Sequence, residues 1–533
     1  MSAITVPARA LVLVALLASR AGAQGLPHQA TTHEQLGTVH VPTSCRAEVA
    51  PTFDRAVALL HSFEFGAAIR TFDQVLATDS TCAMAYWGIA LSRWTNPMSA
   101  DNRSPVLLAQ GRRASAAATR LAAGATARER GYVAAVSRLY DDYEHVDQPA
   151  RVAGYERAMA DLVARQPADT EARIFHAIAL VASAPPGDKS YARQRQAGAT
   201  LESLWVAQPD HPGLAHYIIH SYDVPALAPL AARAAERYAE IAPDAAHALH
   251  MPSHTFTRVG MWEASVETNR RSIAAATRDA STAEVLHASD YLVYASLQMR
   301  RDSAVRTVLA GLPAIAAHFD PTAVTGAAPG SAGVYALAAM PARYALERRA
   351  WSEAASLVPA ASAFPYAEAV TYLARALGSA HLGRLVAARE AVDSLAAIHA
   401  RLLARQEPYW AEQVAIQQLG ARAWLALAEG RQADALALMR EAAGREDATE
   451  KSAVTPGPLA PARELLGDML LALDRPAEAL AEYRHTLAGE PRRYRSLLGA
   501  WRAATAVGDR AAAAGYAAEL RALTGSMPAD TTR

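Results

Sequence analysis

The sequence predicts an all-α chain built as an array of antiparallel helix pairs. Alanine, leucine and arginine dominate and β-branched runs are few, which favours helix over strand. Hydrophobic residues make up 52% of the chain but aromatics only 7%, so there is material for a continuous core, packed mostly through small side chains. Pro209 and Pro243 stand 34 residues apart, and the residues that follow each of them repeat at the same interval. That period is one helix–turn–helix unit, which buries its apolar face only when neighbours stack upon it.

Residues 1–23 read as a secretory signal. Arg9 supplies positive charge ahead of an apolar run at 10–18 that is too short to span a bilayer, and Ala21-Gly22-Ala23 gives the small-x-small cleavage pattern. The expectation is an exported protein, periplasmic or extracellular, beginning at Gln24. Arg, Asp and Glu interrupt every later apolar run, so no membrane span is expected after the signal. Residues 24–50 contain Pro27 and Pro42 and lack a helical period, and read as an extended leader. Cys45 and Cys82 flank the first helix pair. In an oxidising compartment an even pair permits a disulfide that pins the leader to the first repeat; two buried free thiols are the alternative.

The repeats divide into an array at 51–310, a degenerate stretch at 311–458 and a final block at 459–526. The last block is the clearest: Leu466 and Gly467 lead to Leu470, Ala479, Tyr483 and Pro491. In the first, Phe65 and Gly66 precede Ala68 and Phe72, and Tyr86 sits in the next helix. Gly260 and Gly430 read as inter-helix turns, with Ala435, Met439 and Ala442 on the helix after Gly430. Residues 311–313, 325–333 and 455–458 read as loops between blocks. This pattern resembles the tetratricopeptide repeat, with Arg463 standing where that family usually carries Trp. The resemblance implies a right-handed α-solenoid whose concave groove holds a peptide or protein partner, in the manner of an exported bacterial scaffold protein.

Seven of the 17 histidines fall between 211 and 287. His216 and His220 are spaced i, i+4, and so are His250 and His254, so each pair shares a helix face. The second pair follows the first by 34 residues, one repeat length. Counted within the first helix of each repeat, the pairs take the fifth and ninth positions. The resemblance implies that these positions line the groove, together with the second (His247), the twelfth (Asp223 and Thr257) and the thirteenth (Arg258). A three-residue insertion brings His287 and Tyr291 into the same frame. Imidazole is the commonest ligand for zinc and copper, and three histidines with an open position form a catalytic zinc pattern. His216, His220, His250 and His254 are therefore candidate metal ligands, with His247, His287 and Asp223 as additional ones. Met251 beside His250 would suit copper. Three other readings stand beside this one: a histidine-lined groove for an anionic or peptide ligand, histidines that only bond neighbouring helices, and acid–base catalysis without metal.

No recognised catalytic motif accompanies the histidines. The stretch between His216 and His220 lacks the Glu of an HExxH helix, Gly111-Arg112-Arg113 lacks the context of a phosphate loop, and no Gly-x-Ser-x-Gly elbow occurs. With 52 basic and 52 acidic residues the net charge is zero, which argues against nucleic acid as a partner. The basic runs 343–349 and 492–495 read as exposed helix faces, and Trp205 and Trp262 as core. The chain has two lysines, Lys189 and Lys451, a scarcity that reads as genome composition.

Overall fold

The computed structural model describes residues 34–527, so the signal segment at 1–23 and the first part of the leader lie outside the described residues. Among the described residues there is no strand, and no helix is long and apolar enough to cross a membrane. The chain is a TPR-like α-solenoid. Successive helices pack as neighbouring antiparallel pairs, beginning with Ala50–His61 against Phe65–Thr78 and ending with Tyr494–Val507 against Arg510–Thr524. Small residues make the close approaches. A Cβ at Gly467 or Gly499 would lie 2.9 or 2.2 Å from the Tyr483 ring, so that ring fills the space two missing side chains leave.

The turns between helices are tight and need one residue with positive φ. Gly260 (φ 71°) and Gly430 (φ 80°) supply it at no steric cost. Phe63, Ala280, Arg300, Arg349, Gln406 and Asp474 hold the same region despite their side chains. The leader is tied down at its described end. Leu36, Val39 and Val41 join the N-terminal core, and a disulfide joins Cys45 to Cys82 across 37 residues. Replacing both cysteines by serine is expected to cost about 2–4 kcal/mol by freeing the unfolded chain, read as a lower urea midpoint with a steeper slope, since the freed chain exposes more surface.

Two expectations need correction. Gly311, Leu312 and Pro313 form no loop; they lie inside the helix Asp302–Ala316. Its apolar face (Val305, Leu309, Leu312, Ile315) packs on Leu286, Val293 and Leu297, and that burial outweighs the hydrogen bond lost at Pro313. The basic runs are not wholly exposed either. Arg343 is fully buried on Asp290, with Nε 2.9 Å from Oδ1, and Arg493 is buried on Glu464, with Nε 2.9 Å from Oε2. A buried guanidinium requires such a partner, and helical periodicity does not reveal it.

Candidate metal centre

Four helical segments carry the histidines, with the helices Ala232–Ile241 and Trp262–Arg278 between them in the chain. Pro212–Ser221 brings His216 and His220. Ala246–His250 and Pro252–Arg258 bring His247, His250 and His254, and Thr282–Gln298 brings His287 and Tyr291. Pro252 does not break the face shared by His250 and His254. Met251 stays helical (φ −52°, ψ −35°), and its N–H donates to the His247 carbonyl at 2.8 Å. The six imidazoles converge into two adjoining sets. In each set, His216/His220/His247 and His250/His254/His287, one ring nitrogen per residue lies within 4.8 Å of the others. Ring centroids 5.8 Å (His247–His250) and 6.1 Å (His220–His254) apart join the two sets.

The hydrogen bonds fix the tautomers. His216 Nδ1 donates to the His61 carbonyl (2.6 Å), His247 Nδ1 to Glu284 (3.2 Å), His250 Nδ1 to Asn269 Oδ1 (2.7 Å) and His254 Nδ1 to Asp223 (2.8 Å). The Asn269 amide is itself set, because its Nδ2 donates to the Ser265 carbonyl at 2.7 Å. With Nδ1–H directed outward, each Nε2 presents a bare lone pair inward. Those lone pairs face each other: His216 Nε2 is 3.2 Å from His247 Nε2, and His250 Nε2 is 3.1 Å from His254 Nε2. Two acceptors at that distance repel. Two nitrogens bound at metal–nitrogen distances of ~2.0–2.1 Å on a tetrahedral ion stand about 3.3 Å apart, which is nearly the spacing seen. His220 Nε2 and His287 Nδ1, the third members, are buried without a hydrogen-bond partner.

Burial favours the neutral form of His216, His250 and His254. Burial, with His220 and His247 alongside, holds His216 well below the ordinary imidazole range; burial, with His287 and His254 alongside, does the same for His250. Burial brings His254 down to about 4 although Asp223 pulls the other way. Carboxylates balance the outer ring. Burial would raise Glu284, but its bond to His247 and the nearby imidazoles bring it down to about 2, and its other oxygen accepts from the Ala328 N–H at 2.9 Å. Glu64 accepts from the His247 N–H at 3.1 Å and is pushed up to about 8 by burial and by Glu284. Burial opposes ionisation of Asp223 too, yet Lys451 (3.2 Å), Arg258 (3.0 Å) and His254 hold its carboxyl well below the usual range.

The sequence-predicted positions are therefore brought together, but not on an open groove. All six histidines are at most 6% exposed. Residues Asn96, Ser99, Ala328, Pro329, Ala453 and Val454 cover them and leave a small cavity lined by His220, His247, His254 and His287. A larger groove, about 500 Å³, lies beyond this cover and shares Arg258, Lys451 and Thr455 with the surroundings of the site. Asp223 stands behind His254, not beside its inward nitrogen. Thr257 turns away to Ser265, 3.2 Å distant. Tyr291 stacks on His254, and its hydroxyl donates to the Thr455 carbonyl at 3.2 Å. His211 belongs elsewhere: with His61 it clasps Glu171, each Nε2 2.9 Å from a carboxylate oxygen. Glu284, Asn269, Glu64 and Lys451 were not singled out as site residues by sequence. Of these only Glu284, three residues before His287 on one helix, left a local signal.

No family model and no curated relative matches the chain. Solved structures with a similar course include a human IFIT1 dimer with PPP-AAAA (11% identity, TM-score 0.39, 90% of this chain and 95% of that one). Yeast Tom70 is another (11% identity, TM-score 0.36, 87% and 96%).

Proposed function

We propose that this chain is a metal-binding solenoid in which two adjoining imidazole triads hold two transition-metal ions, zinc or copper. The observation that carries the reading is the pairing of inward Nε2 lone pairs at 3.1–3.2 Å, each backed by an outward Nδ1–H bond. Histidines serving structure alone would offer each lone pair a donor. Six nitrogen donors and no inward carboxylate suit zinc or copper and disfavour magnesium or calcium. The mature chain, purified without a histidine tag, is expected to carry two equivalents by elemental analysis. His220→Ala and His254→Ala should each remove about one equivalent, and the pair of substitutions both. Full metal content in the double variant removes the reading.

The groove supports a second role for the same chain, the binding of a peptide or protein partner. Tyr335, Tyr409 and Trp410 line it beside Lys189 and Glu450. Enrichment of a common sequence from a displayed-peptide library checks this, and a library that stays random rejects it. The Cys45–Cys82 bridge supports export, since such bonds persist in oxidising compartments; cell fractionation that leaves the full-length chain in the cytoplasm would reject it.

A further inference from the structure

The histidine-lined cavity has about 10 Å³ of room, enough for one water. An ion with its hydration shell cannot enter unless part of the cover moves. The three covering segments are held differently. The stretch at 95–99 is fastened by the buried Arg103 guanidinium, which bonds the Trp94, Asn96, Ser99 and Asp101 carbonyls at 2.7, 2.5, 3.2 and 2.8 Å. The Ala328 N–H donates to Glu284 at 2.9 Å, and the helix Gly330–Glu347 follows directly.

The third segment belongs to the loop at 448–461, between the helices Gln432–Asp447 and Ala462–Ala472. Loops longer than about 12 residues without regular structure are uncommon and usually functional. This loop has a fixed end and a loose end. Thr455, Gly457 and Pro458 are held by Arg343, itself fully buried on Asp290. At the other end Thr449 and Glu450 line the groove. Glu450 Oε1 accepts from Lys189 Nζ (2.6 Å) and from the Tyr191 hydroxyl (2.5 Å), and Lys189 Nζ also donates to the Thr449 carbonyl (2.5 Å). The Lys189 side chain is 37% exposed and that of Glu450 23%, so water competes for this pair, which holds far less firmly than a buried one. Between the two ends Lys451 bridges to Asp223 (3.2 Å), and Ala453 and Val454 close the histidine cavity. Lifting Lys451 does not orphan Asp223, which keeps Arg258 (3.0 Å) and His254 (2.8 Å). Both of the chain's lysines therefore serve this segment.

We infer that residues 449–454 form a flap over the histidine centre, hinged at the turn that Arg343 holds, latched on Glu450 in the groove, and opened to pass an ion between groove and imidazoles. What passes rests on the metal reading; the opening itself does not require metal. The mature chain, stripped with a chelator, is treated with diethyl pyrocarbonate, and the modified histidines are located by mass spectrometry. His254 and His287 are expected to react slowly in the unaltered chain and about tenfold faster in Glu450→Gln and in Lys189→Ala. Arg389→Ala, which breaks an exposed pair with Glu429, should leave both rates unchanged. Once loaded with zinc, the two latch variants should lose it to a competing chelator about tenfold faster than the unaltered chain, with no change in the equivalents bound. Equal reactivity of His254 and His287 in every chain, or reactivity raised as much by Arg389→Ala, overturns the inference while leaving the metal result standing. Faster reaction in the latch variants of a chain that takes up no metal keeps the flap and removes the ions beneath it.

Discussion

Replacing Arg343 by alanine lowers the stability of the folded chain by about 3–5 kcal/mol, the largest loss expected from a single substitution here. Arg343 and Asp290 are both fully buried, with Nε 2.9 Å from Oδ1. Removing the guanidinium leaves a carboxylate in the core without its counter-charge. Arg343 also donates to the Gly457 carbonyl (2.8 Å), the Pro458 carbonyl (3.0 Å) and Thr455 Oγ1 (2.6 Å), so it anchors the loop at 448–461 that passes over the histidines. The loss therefore has two readouts. The urea midpoint falls, and amides of the 449–458 segment exchange faster at denaturant concentrations where the chain is still folded. The double variant Arg343→Met, Asp290→Leu should lose less than Arg343→Ala, because it removes both charges together. A loss below about 1 kcal/mol for Arg343→Ala would mean that solvent reaches the pair.

The second large effect is metal-linked stability. An ion that binds only the folded state, supplied at about 1,000 times its dissociation constant, adds about 4 kcal/mol. Zinc or copper should raise the melting temperature of chelator-treated protein accordingly, whereas calcium, which takes oxygen ligands, should leave it unchanged. His216→Ala combined with His254→Ala removes one member of each facing nitrogen pair. Its melting temperature should not respond to either ion. A response equal to that of the unaltered chain would place binding at surface histidines such as His145 or His485, both beside carboxylates.

The sequence exposed the architecture more fully than the site. Helix pairs are legible because a 34-residue period repeats Gly, Ala and aromatic residues at fixed places, as Gly467, Ala479 and Tyr483 do. The convergence of His216, His220, His250 and His254 was legible for the same reason: register in one repeat predicts register in the next. What the sequence could not display is what covers that face. The segments at 95–99, 327–329 and 451–455 come from distant parts of the chain and turn the expected open surface into a buried centre. Lys451 illustrates the point. Scarcity of lysine suggested base composition alone, yet this one is 3.2 Å from Asp223, and burial lowers it to about 8. Asn269 and Glu284 were equally hidden, since orienting an imidazole needs an acceptor in space and not at a sequence interval. The loop expected at 311–313 failed through Gly and Pro, which mark turns only when burial does not overrule them.

The central claim is that two metal ions sit between facing imidazole nitrogens. Anomalous diffraction from crystals of the metal-loaded chain, recorded above and below the zinc and copper edges, tests it most directly. The account predicts two peaks, each ~2.0–2.2 Å from ring nitrogens of one set, His216/His220/His247 or His250/His254/His287. Crystals whose anomalous peaks lie only at surface residues, or that show none while the six imidazoles keep their places, would contradict it.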